Sequence, residues 1–303
     1  MEITFLGTAG AIPTEKRSLP AIFLHHMGEY MLFDCGEGCQ RQMRIAKINF
    51  MKINNIFITH LHADHFMGLP GLIQSMDFFD RTMPLEIYGP RGIEETMQHM
   101  LSMGTFRPDR LEIQVHEIGE GTVLKGEKYS ITCARTEHTN NSLAYCFQED
   151  SKRTFIKKKA LALGIPEGPL FSKLQRGESV EYKGKKFTPE QVLDEPIPGR
   201  KIVYTGDTRM CQSVIDLAKG ADILIHDATY SKEDEDTLEE RDHSTAEQAA
   251  IVAKKAKVGK LYLTHISQRY PDPLHLQKEA QEVFPESYVA EDFMTVKVQK
   301  KHK

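Results

Sequence analysis

Ile53-Asn54-Asn55-Ile56-Phe57-Ile58 runs directly into Thr59-His60-Leu61-His62-Ala63-Asp64-His65. The first half is a short apolar run rich in β-branched residues and reads as a buried strand. The second half packs His60, His62 and His65 together with Asp64. The cluster therefore sits at a strand's C-terminal end, where a rigid strand fixes the start of a loop and the loop turns alternate side chains inward on one ion. Imidazole nitrogen with carboxylate oxygen is a ligand set for zinc or a similar borderline ion.

The pattern recurs downstream. Tyr129-Ser130-Ile131-Thr132-Cys133-Ala134 leads to His138, Lys201-Ile202-Val203-Tyr204-Thr205 to Gly206-Asp207, Ile223-Leu224-Ile225 to His226-Asp227, and Lys260-Leu261-Tyr262-Leu263-Thr264 to His265. In layered α/β proteins strand C-termini collect on one side, where ligands bind. The strand-end donors are His60, His62, Asp64, His65, His138, Asp207 and His265. They are too many for one tetrahedral zinc and suit two ions sharing a bridging carboxylate. His25, His26, His99, His116, His275 and His302 lack such settings and read as ordinary hydrogen-bonded side chains.

Other runs complete an α/β pattern. Ala21–Leu24 and Tyr30–Phe33 read as a hairpin, Leu85–Tyr88 as a strand, and helices are expected over 40–46, around Leu72, Ile73, Met76 and Phe79, and over 93–103. The methionines of that last helix read as packing residues. His243-Ser244-Thr245 precedes a helix over 246–257, with Thr245 or Ser244 as N-cap and Gln248 able to close a capping box on Thr245. His243 then lies just outside a positive helix end, free to point into a site. The acidic run 232–242 reads as a solvated face.

Length and composition bound the rest. A chain of 303 residues with 27% charged and 40% hydrophobic residues fits one large globular domain. Five scattered cysteines form neither a disulfide framework nor a zinc ribbon and read as buried thiols of a reducing cytoplasm. No apolar run is long enough to span a membrane, and the N-terminus begins a strand rather than a signal sequence. The net charge of −4 hides an asymmetry: residues 151–200 carry 11 Lys and Arg against 6 Asp and Glu, so this window is +5 and the remainder −9. Its cations interleave with Phe155, Phe171, Tyr182 and Phe187, a composition that suits either an RNA-gripping arm or a solvated arm with packing aromatics. The loop Pro13–Ser18, with Lys16 and Arg17, reads as solvated or as a phosphate contact.

His60-Leu61-His62-Ala63-Asp64-His65 resembles the HxHxDH motif of the metallo-β-lactamase superfamily. Phe5-Leu6-Gly7-Thr8, Phe33-Asp34-Cys35-Gly36-Glu37-Gly38, Gly206-Asp207-Thr208-Arg209, His226-Asp227-Ala228-Thr229, His243-Ser244-Thr245 and Leu263-Thr264-His265 follow in the order seen in its ribonuclease Z family, the tRNA 3′ endonucleases. The resemblance spans essentially the whole chain. It implies a four-layer αβ/βα sandwich with a protruding basic arm, residues 151–200, inserted into a single domain as an exosite for tRNA. It implies two Zn2+ per subunit, one on His60, His62 and His138, the other on Asp64, His65 and His265, bridged by Asp207. It implies hydroxide attack on the phosphodiester near the discriminator nucleotide, with Asp64 as base and His243, held by Asp227, serving the leaving 3′-oxygen. Asp227 stands where the family commonly has Glu, one methylene longer. Arg17, Lys157, Lys158, Lys159, Gly168, Pro169 and Lys173 are the implied RNA contacts, and a cytoplasmic homodimer acting on precursor tRNA is the implied form. The other readings are a small-molecule phosphodiesterase or thioesterase of the same fold, a diiron flavoprotein, disfavoured by His62 where that branch has Glu, and an RNA-binding protein without chemistry.

Overall fold

The apolar runs read from the sequence are strands in the computed structural model, which describes residues 1–105, 107–237 and 242–300. Among these residues the chain separates into two units, Met1–Gln148 with Lys201–Gln299, and Glu149–Arg200 with the chain end from Lys300.

The first unit is built on two seven-stranded sheets, counted among the described residues. One runs in spatial order Thr295–Lys297, Glu2–Gly7, Ala21–His26, Glu29–Phe33, Ile53–Phe57, Leu85–Gly89, Ile113–Glu117. The other runs Ser287–Val289, Lys260–Thr264, Ile223–Asp227, Lys201–Tyr204, Leu143–Glu149, Tyr129–Arg135, Gly121–Lys125. Side chains alternate across a strand. Phe57 joins Phe5, Tyr145 and Ile225 in a core shared by both sheets, while its neighbours Ile56 and Ile58 face the helices Cys39–Ile45, Leu69–Phe78 and Ile93–Ser102. The second sheet packs its outer face on Gln212–Ala218, Ala246–Ala256 and Leu274–Val283 through an Ala- and Val-rich cluster. The layers are helix, sheet, sheet, helix, as expected of the fold.

Lys201–Tyr204, Ile223–Asp227, Lys260–Thr264 and Ser287–Val289 pair in parallel, as do Glu29–Phe33, Ile53–Phe57 and Leu85–Gly89. Parallel neighbours end on the same side, which gathers their C-terminal loops. The capping box on Thr245 is present: its side chain accepts the Gln248 N–H and Gln248 returns the bond. The cysteines are all buried free thiols. Two expected core residues are not core. Phe79 and Met103 stand one residue past their helices and are 57% and 56% exposed. Residues 238–241 of the acidic run lie outside the described residues.

The unit Glu149–Arg200 has a core of its own, Ala160, Ile165, Leu174, Val180, Phe187 and Val192, beneath the short helices Lys157–Ala162 and Pro169–Gln175 and the hairpin Val180–Tyr182/Lys185–Phe187. Phe155 packs on Phe171 at 4.8 Å between ring centroids. The aromatics of this segment are thus packing residues and not platforms for bases; the exposed polar surface is left to the lysines. The Glu149 carboxylate accepts a fork from Arg200, Nε at 2.7 Å and Nη2 at 2.6 Å, and both side chains are buried.

Candidate metal centre

Asp34 ends its strand with a left-handed backbone, φ 55°, and its wholly buried carboxylate accepts the Thr59 N–H at 2.8 Å, the Thr59 hydroxyl at 2.9 Å, the Tyr204 hydroxyl at 2.8 Å and His65 Nδ1 at 2.7 Å. The Thr59 hydroxyl spends its proton on Asp34, so it can only accept from His60 Nδ1, 3.1 Å away. The same logic fixes the other rings. Thr229 donates its hydroxyl to Asp227 at 2.6 Å and therefore accepts from His265 Nδ1 at 2.8 Å. His138 Nδ1 reaches the Asp242 carbonyl at 2.9 Å, an acceptor only. Four imidazoles thus carry their proton outward on Nδ1 and turn the Nε2 lone pair inward, the arrangement that orients metal ligands.

Those lone pairs converge on one oxygen. Asp207 Oδ2 lies 3.6 Å from His60 Nε2, 3.7 Å from His138 Nε2, 3.3 Å from His65 Nε2 and 3.2 Å from His265 Nε2. His62 joins the first group through Nδ1, 3.1 Å from His60 Nε2 and 3.0 Å from His138 Nε2. Asp64 Oδ2 joins the second, 3.6 Å from His65 Nε2 and 3.4 Å from His265 Nε2. Donors held about 2 Å from one tetrahedral ion stand roughly 3.3 Å apart. All seven donors expected from the sequence are therefore brought together, in two sets that share Asp207.

The donor chemistry fits a divalent ion in each set. His65 Nε2 and Asp207 Oδ1 are buried with no hydrogen-bond partner, although buried polar atoms seldom go unpaired. Burial, then the neighbouring His65, pushes the His60 imidazole well below its ordinary pKa, which keeps its lone pair free. Burial pushes His65 down as well, but the Asp207 and Asp34 carboxylates outweigh it and hold the ring well above its ordinary range. Such a pair of buried anions demands positive charge between them.

His243 stacks beside both sets, with ring centroids 4.7 Å from His138 and 5.1 Å from His265. Its Nδ1 lies 2.8 Å from Asp227 Oδ2, so the shorter Asp side chain does reach it. Burial lowers the His243 pKa but the Asp227 charge and hydrogen bond prevail, lifting it to about 9. Backbone strain supports the geometry. His265 has φ 59°, and a Cβ on Gly206, φ 59°, would meet Thr59 at 2.7 Å, so glycine alone lets Asp207 follow there.

The implied RNA contacts are placed elsewhere and differ among themselves. Lys157, Lys158, Lys159, Gly168, Pro169 and Lys173 are exposed on the Glu149–Arg200 unit, with Lys157 paired to Glu167 at 2.7 Å. Arg17 is turned inward: its Nη1 donates to the Thr8 hydroxyl and to the Ala290 carbonyl, each at 2.6 Å. Sequence reading passed over Asp34, Thr59 and Thr229 as functional residues. Asp34 carries the same signal as the other donors, a carboxylate just past an apolar strand, whereas the threonines have none that sequence displays.

The sequence model of the family described as anti-Pycsar protein Apyc1 matches residues 1–159, and that of the beta-lactamase superfamily domain matches residues 192–266. Ribonuclease Z of Methanothermobacter thermautotrophicus is 49% identical over 98% of this chain and 97% of its own length. Ribonuclease Z of Methanosarcina acetivorans is 47% identical over 98% of each. The crystal structure of the short form of human tRNase Z superposes with a TM-score of 0.73 at 29% identity, covering 99% of this chain and all of that one.

Proposed function

The chain belongs to the ribonuclease Z family, a tRNA 3′-processing endoribonuclease acting on precursor tRNA, and from that premise we propose a two-zinc phosphodiester hydrolase that removes the 3′ trailer near the discriminator nucleotide. The observation that carries it is the convergence of two donor sets on Asp207 Oδ2. His60, His62 and His138 would hold one ion, Asp64, His65 and His265 the other, with Asp207 between them. Zinc is favoured because the donors are mostly imidazole, which suits it better than the harder, oxygen-seeking ions. When bound, two such cations lower the pKa of a water and neutralise charge on a phosphoryl group.

This chain's residues then divide the remaining work. Asp64 orients the attacking water and takes its proton. The new P–O bond forms from that water and the bond from phosphorus to the tRNA 3′-oxygen breaks. His243, its Nδ1 held by Asp227, gives a proton to that oxygen and leaves a 3′-hydroxyl on the tRNA. The exposed lysines of the Glu149–Arg200 unit serve as the exosite for the tRNA body, and the family precedent supports a homodimer in which that unit serves the partner's site. Among the described residues no helix is long and apolar enough to cross a membrane. The buried free thiols support a cytoplasmic setting.

The test is incubation of zinc-loaded protein with a 3′-extended precursor tRNA and mapping of both product ends. A cut next to the discriminator, with a 3′-hydroxyl on the tRNA and a 5′-phosphate on the trailer, is expected. Hydrolysis of a small phosphodiester without any tRNA cleavage would instead establish the small-molecule phosphodiesterase reading.

A further inference from the structure

The loop from Ala11 to Ser18 is tied at both ends. At its start the Ala11 N–H donates to Asp64 Oδ2 at 3.0 Å, and Gly10 backs so closely on His265 that a Cβ there would meet the ring at 2.7 Å. At its end the Ser18 N–H donates to Asp292 Oδ2 at 2.7 Å. Arg17 donates to the Thr8 hydroxyl, which in turn donates to Asp292 Oδ1 at 2.7 Å, and Gln42 Nε2 reaches Asp292 Oδ2 at 2.9 Å. Within the loop the Thr14 side chain accepts the N–H groups of Lys16 and Arg17. One carboxylate far along the chain thus gathers the far end of a loop whose near end touches two of the metal donors.

We propose that Asp292 is a positioning residue: through Ser18, Thr8 and Arg17 it fixes the loop so that the Ala11 amide holds Asp64 Oδ2 in place beside His265. Arg17 is on this reading an internal strut and not an RNA contact. The carboxylate of Asp64 has to be aimed both as ligand and as proton acceptor, and an N–H directed at one oxygen removes a rotational freedom that would otherwise blur both roles. The inference rests on the hydrolytic reading above for its activity assays but not for its binding assay.

The experiment compares Asp292→Asn, Thr8→Val and Thr8→Ser with the wild type. Three quantities are read: kcat and KM on precursor tRNA, hydrolysis of bis(p-nitrophenyl) phosphate, and zinc affinity by competition with a chromogenic chelator. Asp292→Asn and Thr8→Val should lower kcat on both substrates, and zinc affinity, by about ten- to a hundredfold, the usual cost of losing an outer partner of a metal site. KM for tRNA should stay within about twofold, and Thr8→Ser, which keeps the hydroxyl, should restore the wild-type values. Should Asp292→Asn not fold, Arg17→Met removes the strut from the other side and is read in the same way. A raised KM for tRNA with unchanged small-diester hydrolysis and zinc affinity would overturn the proposal and make the loop an RNA contact. If the wild type hydrolyses the small diester but leaves tRNA uncut, the tRNA reading falls while the ratio of variant to wild type on the diester still decides the role of Asp292. If it hydrolyses neither, zinc affinity alone decides it.

Discussion

Replacing Asp34 by Asn tests whether the outer shell, and not only the ligands, sets the metal centre. The substitution is nearly isosteric, but the carboxylate is surrounded by donors: Thr59 N–H and hydroxyl, Tyr204 hydroxyl and His65 Nδ1. An amide nitrogen turned toward Oδ1 would face the Thr59 N–H, which has no lone pair. Turned toward Oδ2 it faces Tyr204 and His65, which can both become acceptors, so this is the orientation forced on it. His65 then gives up its Nδ1 proton and carries it on Nε2, where the inward lone pair is lost. Three bonds to a charged acceptor become bonds to a neutral amide, each weaker by about 1 kcal/mol, for a total of roughly 3 kcal/mol. For a unit of this size that lowers Tm by roughly 6 °C. Zinc affinity and cleavage should fall by about ten- to a hundredfold, as for other missing outer-shell partners. Metal analysis, thermal melting and 15N spectra of the His65 ring report the three effects separately. Two equivalents of zinc at wild-type affinity, with the Nδ1 proton retained, would refute the reasoning.

Four further outcomes follow from the same structure. Stripping divalent metal with a chelator should abolish cleavage and lower Tm, because His65 Nε2 and Asp207 Oδ1 are buried without other partners; melting curves with and without added zinc check it. His243→Ala should reduce kcat on precursor tRNA by about 10²- to 10⁴-fold at little change in KM, as measured in single-turnover kinetics. Charge reversal of Lys158 and Lys159, both exposed, should raise KM for tRNA while sparing small-diester hydrolysis, and should flatten the dependence of log affinity on log salt by about 0.7 to 0.9 for each phosphate that is no longer neutralised. Glu149→Ala strands the Arg200 guanidinium in a buried setting and should destabilise its unit by about 3–5 kcal/mol, seen as an earlier protease cut between 149 and 200.

The composition of the arm was legible only in part. Its basic excess is a property of the sequence and marks the segment wherever it folds. The fate of its aromatics is not, because Phe155, Phe171 and Phe187 have the same composition signature whether they stack on bases or on one another, and here they build a private core. Phe79 and Met103 show the converse: a helical period includes them, but the helix ends one residue earlier and leaves them in solvent.

What the sequence by itself determined is the donor set. Strands announce themselves by short β-branched runs, parallel strands end on one side, and a His or Asp just past each end can be read without coordinates; all seven donors were found in this way. Only the tertiary structure decided what aims them. Asp34 and His65 are neighbours at 2.7 Å across 31 positions, Thr229 and His265 at 2.8 Å across 36, and Asp292 meets Thr8 at 2.7 Å across 284. A threonine or an aspartate becomes an outer partner through the direction of one hydrogen bond, and that direction is set by how strands from distant parts of the chain pair and pack, not by the residues beside it in sequence.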